Sequence, residues 1–107
     1  MVKTMQYYEL HAEICKTFGH SKRLFIIDSL RKKELSVSEM ANLTGMDTSN
    51  LSQHLHILRE KGLVKTRREG TNVFYSLAHP NIIQAYDLIS EVLTQRINLN
   101  QSIIGKK

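Results

Sequence analysis

The strongest constraint on this chain is a change in its hydrophobic period at Gly62. Before Gly62, apolar side chains recur every three or four residues in four short stretches, which predicts four amphipathic helices. After it, residues 63–77 alternate loosely and are rich in β-branched and aromatic side chains, which predicts a two-stranded hairpin. A last apolar stripe follows Pro80, a residue that suits the first turn of a helix.

The predicted order is therefore α-α-α-α-β-β-α, a mainly α chain with a β-hairpin. We expect the second helix to start with Ser21 as its N-cap and to reach about Lys33. The third opens on a capping box formed by Ser36 and the glutamate three residues later, and either Asp47 or Thr48 caps the fourth. Two short helices joined by a tight turn and followed by a basic hairpin predict a winged helix-turn-helix.

Length and composition indicate one small globular domain. We expect residues 1–97 of the 107 to form it, with a flexible tail at 98–107. No apolar run is long enough for a transmembrane helix, and the N-terminus lacks the features of a signal peptide, so we expect a cytoplasmic protein. The sequence also lacks common catalytic and phosphate-loop motifs, so we expect neither enzyme activity nor a cofactor.

Positive charge is concentrated in two blocks. Residues 16–33 hold six basic residues and one acidic residue, and residues 59–70 hold five basic and two acidic residues. Such clusters favour contact with nucleic-acid phosphates, although plain surface charge is the alternative. The candidates for phosphate or minor-groove contact lie on the hairpin, or wing, and at the start of the second helix: Lys65, Arg67, Arg68, Thr71, Asn72, Lys22 and Arg23.

The fourth predicted helix has an outward face suited to base edges. At about 100° per residue, Leu51, Leu55 and Leu58 share one side, which we expect to be buried. The other side is polar and almost uncharged, whereas a merely solvated helix more often carries lysine and glutamate. Serine, asparagine and glutamine can hydrogen-bond base edges in a major groove. The candidate contacts are Thr48, Ser49, Asn50, Ser52, Gln53 and His56, some of which could instead serve only to cap the helix.

Four segments in this order resemble the ArsR/SmtB-type transcriptional regulators. Phe18–Leu24 is similar to that family's L-G-H/D-P-x-R-L motif, and Glu34–Met40 is similar to E-L-x-V-x-E-L. Ser49–Val64 is similar to S-x-V-S-x-H-L-x-x-L-x-x-x-G-L-V, and Arg67–Leu77 to the wing motif R-R-E-G-x-x-x-Y-x-L. The resemblance implies a homodimeric winged-helix protein that binds a pseudo-palindromic DNA operator, usually as a repressor released by an inducer.

The resemblance also implies a dimer interface built from the first and last helices. The broad apolar stripe of the last helix supports it independently, because it exceeds what one small domain needs to cover. The expected interface residues are Met5, Tyr8, Ala12, Ile82, Tyr86, Ile89, Leu93 and Ile97.

The metal-sensing patterns of the family are missing. The two cysteines of its C-V-C site correspond to Ser36 and Ser38, which are not soft-metal ligands, and the last helix lacks an Asp/His cluster. We therefore expect no metal site. His11 and Cys15 lie four residues apart on one helix face and are the weak candidates, but Cys15 also lies on the apolar stripe and is expected to be a buried packing residue.

The sequence thus predicts a sequence-specific DNA-binding regulator. Two alternatives stay open at this point. One is a winged-helix protein-interaction module that does not read DNA, and the other is a thiol-responsive regulator that acts through Cys15.

Overall fold

The computed structural model describes residues 2–100, with side chains as far as Asn98. The helices are α1 (Met5–Phe18), α2 (Ser21–Ser29), α3 (Val37–Thr44), α4 (Thr48–Glu60) and α5 (Pro80–Asn100). The strands are β1 (Leu35–Ser36), β2 (Val64–Glu69) and β3 (Asn72–Leu77).

Side-chain caps fix where α3 and α4 begin. The Oγ of Ser36 accepts from the Glu39 N–H at 3.1 Å, and Glu39 Oε1 accepts from the Ser36 N–H at 2.8 Å, so the predicted capping box is confirmed. Asp47 caps α4 by accepting from the Asn50 N–H at 2.9 Å. Between the two helices Gly45 has a φ of +79°, a left-handed conformation that glycine adopts without strain.

The predicted limits of α2 are wrong at both ends. His20 rather than Ser21 is its N-cap, because the His20 Nδ1 accepts from the Lys22 N–H at 3.2 Å. The helix ends at Ser29, well before Lys33. The residues after Ser29 lead instead into strand β1.

The sheet contains one strand more than the predicted hairpin. Among the described residues its order is β1-β3-β2, and both pairings are antiparallel. β1 has only two residues, Leu35 and Ser36, which lie opposite Tyr75 and Phe74. A strand this short cannot show a period of two, which is why the sequence did not predict it.

The core lies between α2, α3, α4 and the base of the sheet. Leu51, Leu55 and Leu58 of α4 are fully buried, as predicted from their spacing. They belong to one cluster with Ile26, Ile27, Leu30, Leu35, Met40, Leu63 and Val64. This packing fixes the buried side of α4 and leaves its opposite side at the surface.

The two terminal helices are attached to this core along only part of their length. In α1 only Thr17, near the C-terminal end, is buried. The base of α5 is joined to α2 by Arg31, whose guanidinium donates to Asp28 at 2.9 Å and to Asp87 at 2.8 Å. α5 runs through residues 98–100 of the predicted tail, and residues 101–107 lie outside the described part of the chain.

The molecule is flatter than a compact domain of its length. Its radius of gyration is 15.7 Å, against about 13 Å expected for this number of residues, and it measures 47 × 46 × 22 Å. Large apolar side chains remain exposed on α1 and α5: Met5, Tyr7, Tyr8, Leu10, Ile14, Leu88, Ile89, Val92 and Leu93. Such a shape leaves apolar surface that a partner could cover.

Candidate nucleic-acid interface

The outer side of α4 presents the predicted polar face. Ser49, Ser52, Gln53 and His56 are exposed on the side of the helix away from its buried leucines, and Thr48 is exposed in the first turn. Ser52, Gln53 and His56 line one shallow depression together with Ile57. The face is therefore open, uncharged near its start and rich in groups that can both donate and accept hydrogen bonds.

Two polar residues of α4 do not fit the description of an exposed, uncharged face. Asn50 is half-buried, and its Oδ1 is buried without a hydrogen-bond partner among the described residues. His56 lies 3.6 Å from Glu60 on the next turn, which places a carboxylate beside the far end of the face. Because the Glu60 carboxylate would repel phosphates, the first two turns of α4 are better suited to contact DNA than the last turn.

The wing carries exposed polar and basic side chains. Lys65, Arg68, Thr71 and Asn72 are all exposed, and the wing turns at Gly70, whose φ is +63°. Arg68 has no ion-pair partner within residues 2–100, so its charge is available to a phosphate.

Arg67 is exposed too, but it is paired with an acidic residue of its own chain. Its Nε donates to Glu34 Oε1 at 3.0 Å, its Nη2 donates to Glu34 Oε2 at 2.6 Å, and its guanidinium lies 4.9 Å from the centre of the Phe74 ring. This ion pair holds the pKa of the Glu34 carboxyl below its usual range, mainly through the hydrogen bond from Arg67. The pair was not predicted, because Glu34 comes beside the hairpin only through the pairing of β1 with β3.

The two basic residues at the start of α2 also differ from each other. Lys22 is exposed, as a phosphate contact requires. Arg23 is half-buried and points into the structure, where its Nε donates to the Nδ1 of His54 at 3.3 Å and its Nη1 to the Thr17 carbonyl at 3.3 Å. The sequence did not predict this link between α2 and α4, since Arg23 and His54 are far apart in the chain.

Comparisons with known proteins place this arrangement in a family. The profile described as "Bacterial regulatory protein, arsR family" matches residues 20–66, which span α2 to the start of β2. The uncharacterised HTH-type transcriptional regulator Rv0081 of Mycobacterium tuberculosis is 38% identical over 84% of this chain and 83% of its own length. The chain belongs to the ArsR family.

Solved structures agree with the family assignment. The crystal structure of Rv0081 has a TM-score of 0.80 at 35% identity and covers 90% of this chain and 97% of that one. A homodimeric winged helix-turn-helix DNA-binding domain from Mycobacterium bovis, described as a possible ArsR-family regulator, has a TM-score of 0.76 at 27% identity and covers 95% and 93%. Among relatives by sequence, the transcriptional activator HlyU of Vibrio cholerae is 37% identical over 77% of this chain and 76% of its own length.

This ArsR-family chain is a DNA-binding transcriptional regulator and not an enzyme. The predicted winged helix-turn-helix fold and the predicted function are both confirmed. The alternative of an interaction module that does not bind DNA is therefore set aside. Within residues 2–100, no helix is long and apolar enough to cross a membrane.

The predicted dimer residues divide into two groups in this ArsR-family chain. Met5, Tyr8, Ala12, Ile89 and Leu93 are exposed and form a surface that a second copy could cover. The others are already covered by their own chain: Ile82 and Tyr86 pack against the core, and Ile97 is buried.

Cys15 is not the buried packing residue that the sequence led us to expect, because it is exposed. It lies on α1 beside His11, and both line an apolar cavity of about 460 Å³ between α1 and α5. The expectation failed because, of the apolar stripe of α1, only Phe18 packs against the core of its own chain. Within the described residues, no group of three or more possible metal ligands is found.

Proposed function

We propose that the chain acts as a cytoplasmic homodimer that places one α4 helix from each subunit in successive major grooves of a pseudo-palindromic operator. The observation that carries this proposal is the pairing of a fully buried leucine stripe with an exposed, uncharged polar face on one helix. The stripe fixes the helix, and the groups that recognise bases come from exposed Thr48, Ser49, Ser52, Gln53 and His56, with half-buried Asn50 at the flank.

In this proposal the wing and the start of α2 supply attraction to the DNA backbone. Lys22, Lys65 and Arg68 contact phosphates, and Thr71 and Asn72 at the wing tip contact phosphate or sugar. The ion pair of Arg67 with Glu34 instead fixes the wing against β1. Arg23 likewise acts inside the structure rather than on the phosphates.

The exposed apolar face of α1 and α5 supports the homodimer. Residues 1–97 then form one domain for DNA binding and dimerisation. A two-fold axis through such a dimer places the two recognition helices about one DNA turn, or roughly 34 Å, apart. The M. bovis relative is described as homodimeric, in agreement with this arrangement.

Selection from a random duplex library tests the operator prediction. The protein is incubated with the library at pH 7.5 and the bound duplexes are sequenced. We expect an inverted repeat with half-sites about 10 base pairs apart, and a loss of affinity when five base pairs are inserted between the half-sites. Enrichment of a single unrepeated motif would contradict the dimeric arrangement.

We propose repression as the regulatory outcome. A dimer seated on a promoter excludes polymerase by occupying the DNA, which needs no contact beyond those already described. A reporter whose promoter overlaps the selected duplex should be transcribed less when the protein is expressed. Higher transcription would indicate an activator, as HlyU is described to be.

A further inference from the structure

One side chain of α4 and two from the start of α2 meet behind the DNA-reading face of α4. His54 lies on α4 and is only 9% exposed. Its Nδ1 accepts from Arg23 Nε at 3.3 Å, and its ring centre lies 4.8 Å from that of His20, the N-cap of α2. Arg23 also donates to the Thr17 carbonyl at the end of α1, so the cluster joins α1, α2 and α4.

The hydrogen bonds define the protonation state of both rings. A ring nitrogen accepts a hydrogen bond only when it carries no proton, so His54 must be neutral with its proton on Nε2. The same holds for His20, whose Nδ1 accepts from the Lys22 N–H at 3.2 Å. Protonation of His54 at Nδ1 would remove the acceptor and place a second cation against the Arg23 guanidinium.

The surroundings of His54 favour its neutral form. Burial lowers the pKa of the His54 imidazole most, and the electrostatic interactions with Arg23, Lys22 and, when its ring is protonated, His20 lower it further. These groups come from the α1–α2 junction and the first turn of α2. From α3 and β2, which also pack on α4, no described titratable residue contributes to the shift.

We propose that His54, Arg23 and His20 form a proton-sensitive clamp that holds α4 in the orientation that reads DNA. His54 and Arg23 are positioning residues, because neither is placed on the bases or phosphates. The inference rests on the proposed function and adds a condition to it: the reading face is aligned only while the His54 ring is neutral.

The sign of the expected pH effect follows from the clamp. Above the ordinary pKa of histidine the ring is neutral and the clamp is complete; as the pH falls through the lowered pKa, the clamp opens. Added protons also strengthen general attraction to DNA, so the informative quantity is the ratio of affinity for the selected duplex to affinity for a scrambled duplex. We expect that ratio to fall by up to about tenfold per pH unit below the pKa, the limit for one coupled proton.

Nuclear magnetic resonance of the free protein tests the clamp without DNA. We expect His54 to be the Nε2–H tautomer at pH 7.5, and its titration to coincide with shifts of the α4 and α2 backbone amides. In Arg23→Met, which keeps an unbranched apolar stem but removes the donor and the charge, the His54 pKa should rise. An Nδ1–H tautomer, or a His54 pKa unaffected by Arg23→Met, would overturn the proposal. The outcome of this NMR experiment does not depend on whether the operator prediction is right.

The DNA arm compares His54→Gln with the wild type between pH 5 and pH 8. Glutamine can accept from Arg23 but cannot be protonated, so the affinity ratio of His54→Gln should fall clearly less with decreasing pH than the wild-type ratio. His79→Asn is the matched control, because His79 Nδ1 accepts from the Asn81 N–H at 3.1 Å at the start of α5 but is not part of this clamp. The control should follow the wild-type pH profile. A wild-type ratio that does not fall with pH, or equal profiles for the wild type and His54→Gln, would overturn the clamp.

Discussion

Neighbouring residues of the wing carry the same charge but have different partners. Arg67 is bound by Glu34 and stacked near Phe74, whereas Arg68 has no ion-pair partner in the described part of the chain. The sequence predicted a basic wing correctly, because residue type and spacing are local properties. It did not predict which arginine forms an ion pair within the chain, because that depends on the pairing of β1 with β3, which brings Glu34 beside the wing. The hydrogen bond between Arg23 and His54 was not predicted for the same reason, since the two residues are far apart in the chain.

Arg68→Ala tests this difference through salt dependence. Each phosphate contact contributes a slope of about 0.9 in the logarithm of affinity against the logarithm of salt concentration. We expect Arg68→Ala to flatten the slope for a scrambled duplex by nearly that amount, and Arg67→Ala to change it much less. Fluorescence anisotropy over a series of salt concentrations measures both. A larger effect from Arg67→Ala would show that its pair with Glu34 opens on DNA.

Helix starts were the most predictable elements of the fold. The capping box of α3 and the Asp47 cap of α4 use groups within three residues of each other, so their signals are visible in the sequence. The start of α2 was placed one residue late because histidine is not a usual N-cap, although its Nδ1 serves as one here. β1 was missed because it forms only through its pairing with β3.

Ser36→Ala tests the energetic role of the capping box. Loss of an N-cap side chain leaves backbone N–H groups of the first turn unsatisfied, so the free energy of unfolding should fall by about 1 kcal/mol. Urea unfolding followed by circular dichroism measures this. Ser38→Ala, at an exposed position in the first turn of the same helix, is the control and should change stability by less than about 0.5 kcal/mol. Equal effects of the two substitutions would contradict the capping role.

At the scale of the whole molecule, five of the eight predicted dimer residues remain exposed. The helical period showed that α5 has one broad apolar side, but it could not show which turns the chain itself covers. Ile82 and Tyr86 pack on the core, while Ile89 and Leu93 are 63% and 51% exposed. The flat shape and the exposed apolar residues of α1 indicate the same unpaired side. The dimer interface should therefore centre on the middle turns of α5, around Ile89 and Leu93.

Leu93→Glu is expected to weaken the dimer. Two-fold symmetry removes one buried leucine from each subunit and introduces two charges, so the dissociation constant should rise at least about thirtyfold. Sedimentation equilibrium measures the change. Leu43→Glu replaces a leucine on α3 that is 62% exposed and lies outside the proposed interface, so it should leave the dimer intact. A dimer unaffected by Leu93→Glu would place the interface elsewhere.

The most direct test of base reading by α4 is the ratio of specific to non-specific affinity for Ser49→Ala combined with Gln53→Ala. Each good base contact contributes about 1–3 kcal/mol of discrimination, so losing two should lower the ratio by about thirtyfold or more while binding to a scrambled duplex survives. Thr94→Ala with Gln95→Ala, on the exposed surface of α5, removes similar groups and should leave the ratio unchanged. An unchanged ratio in the α4 variant, or an equal fall in both affinities, would contradict base reading by this face.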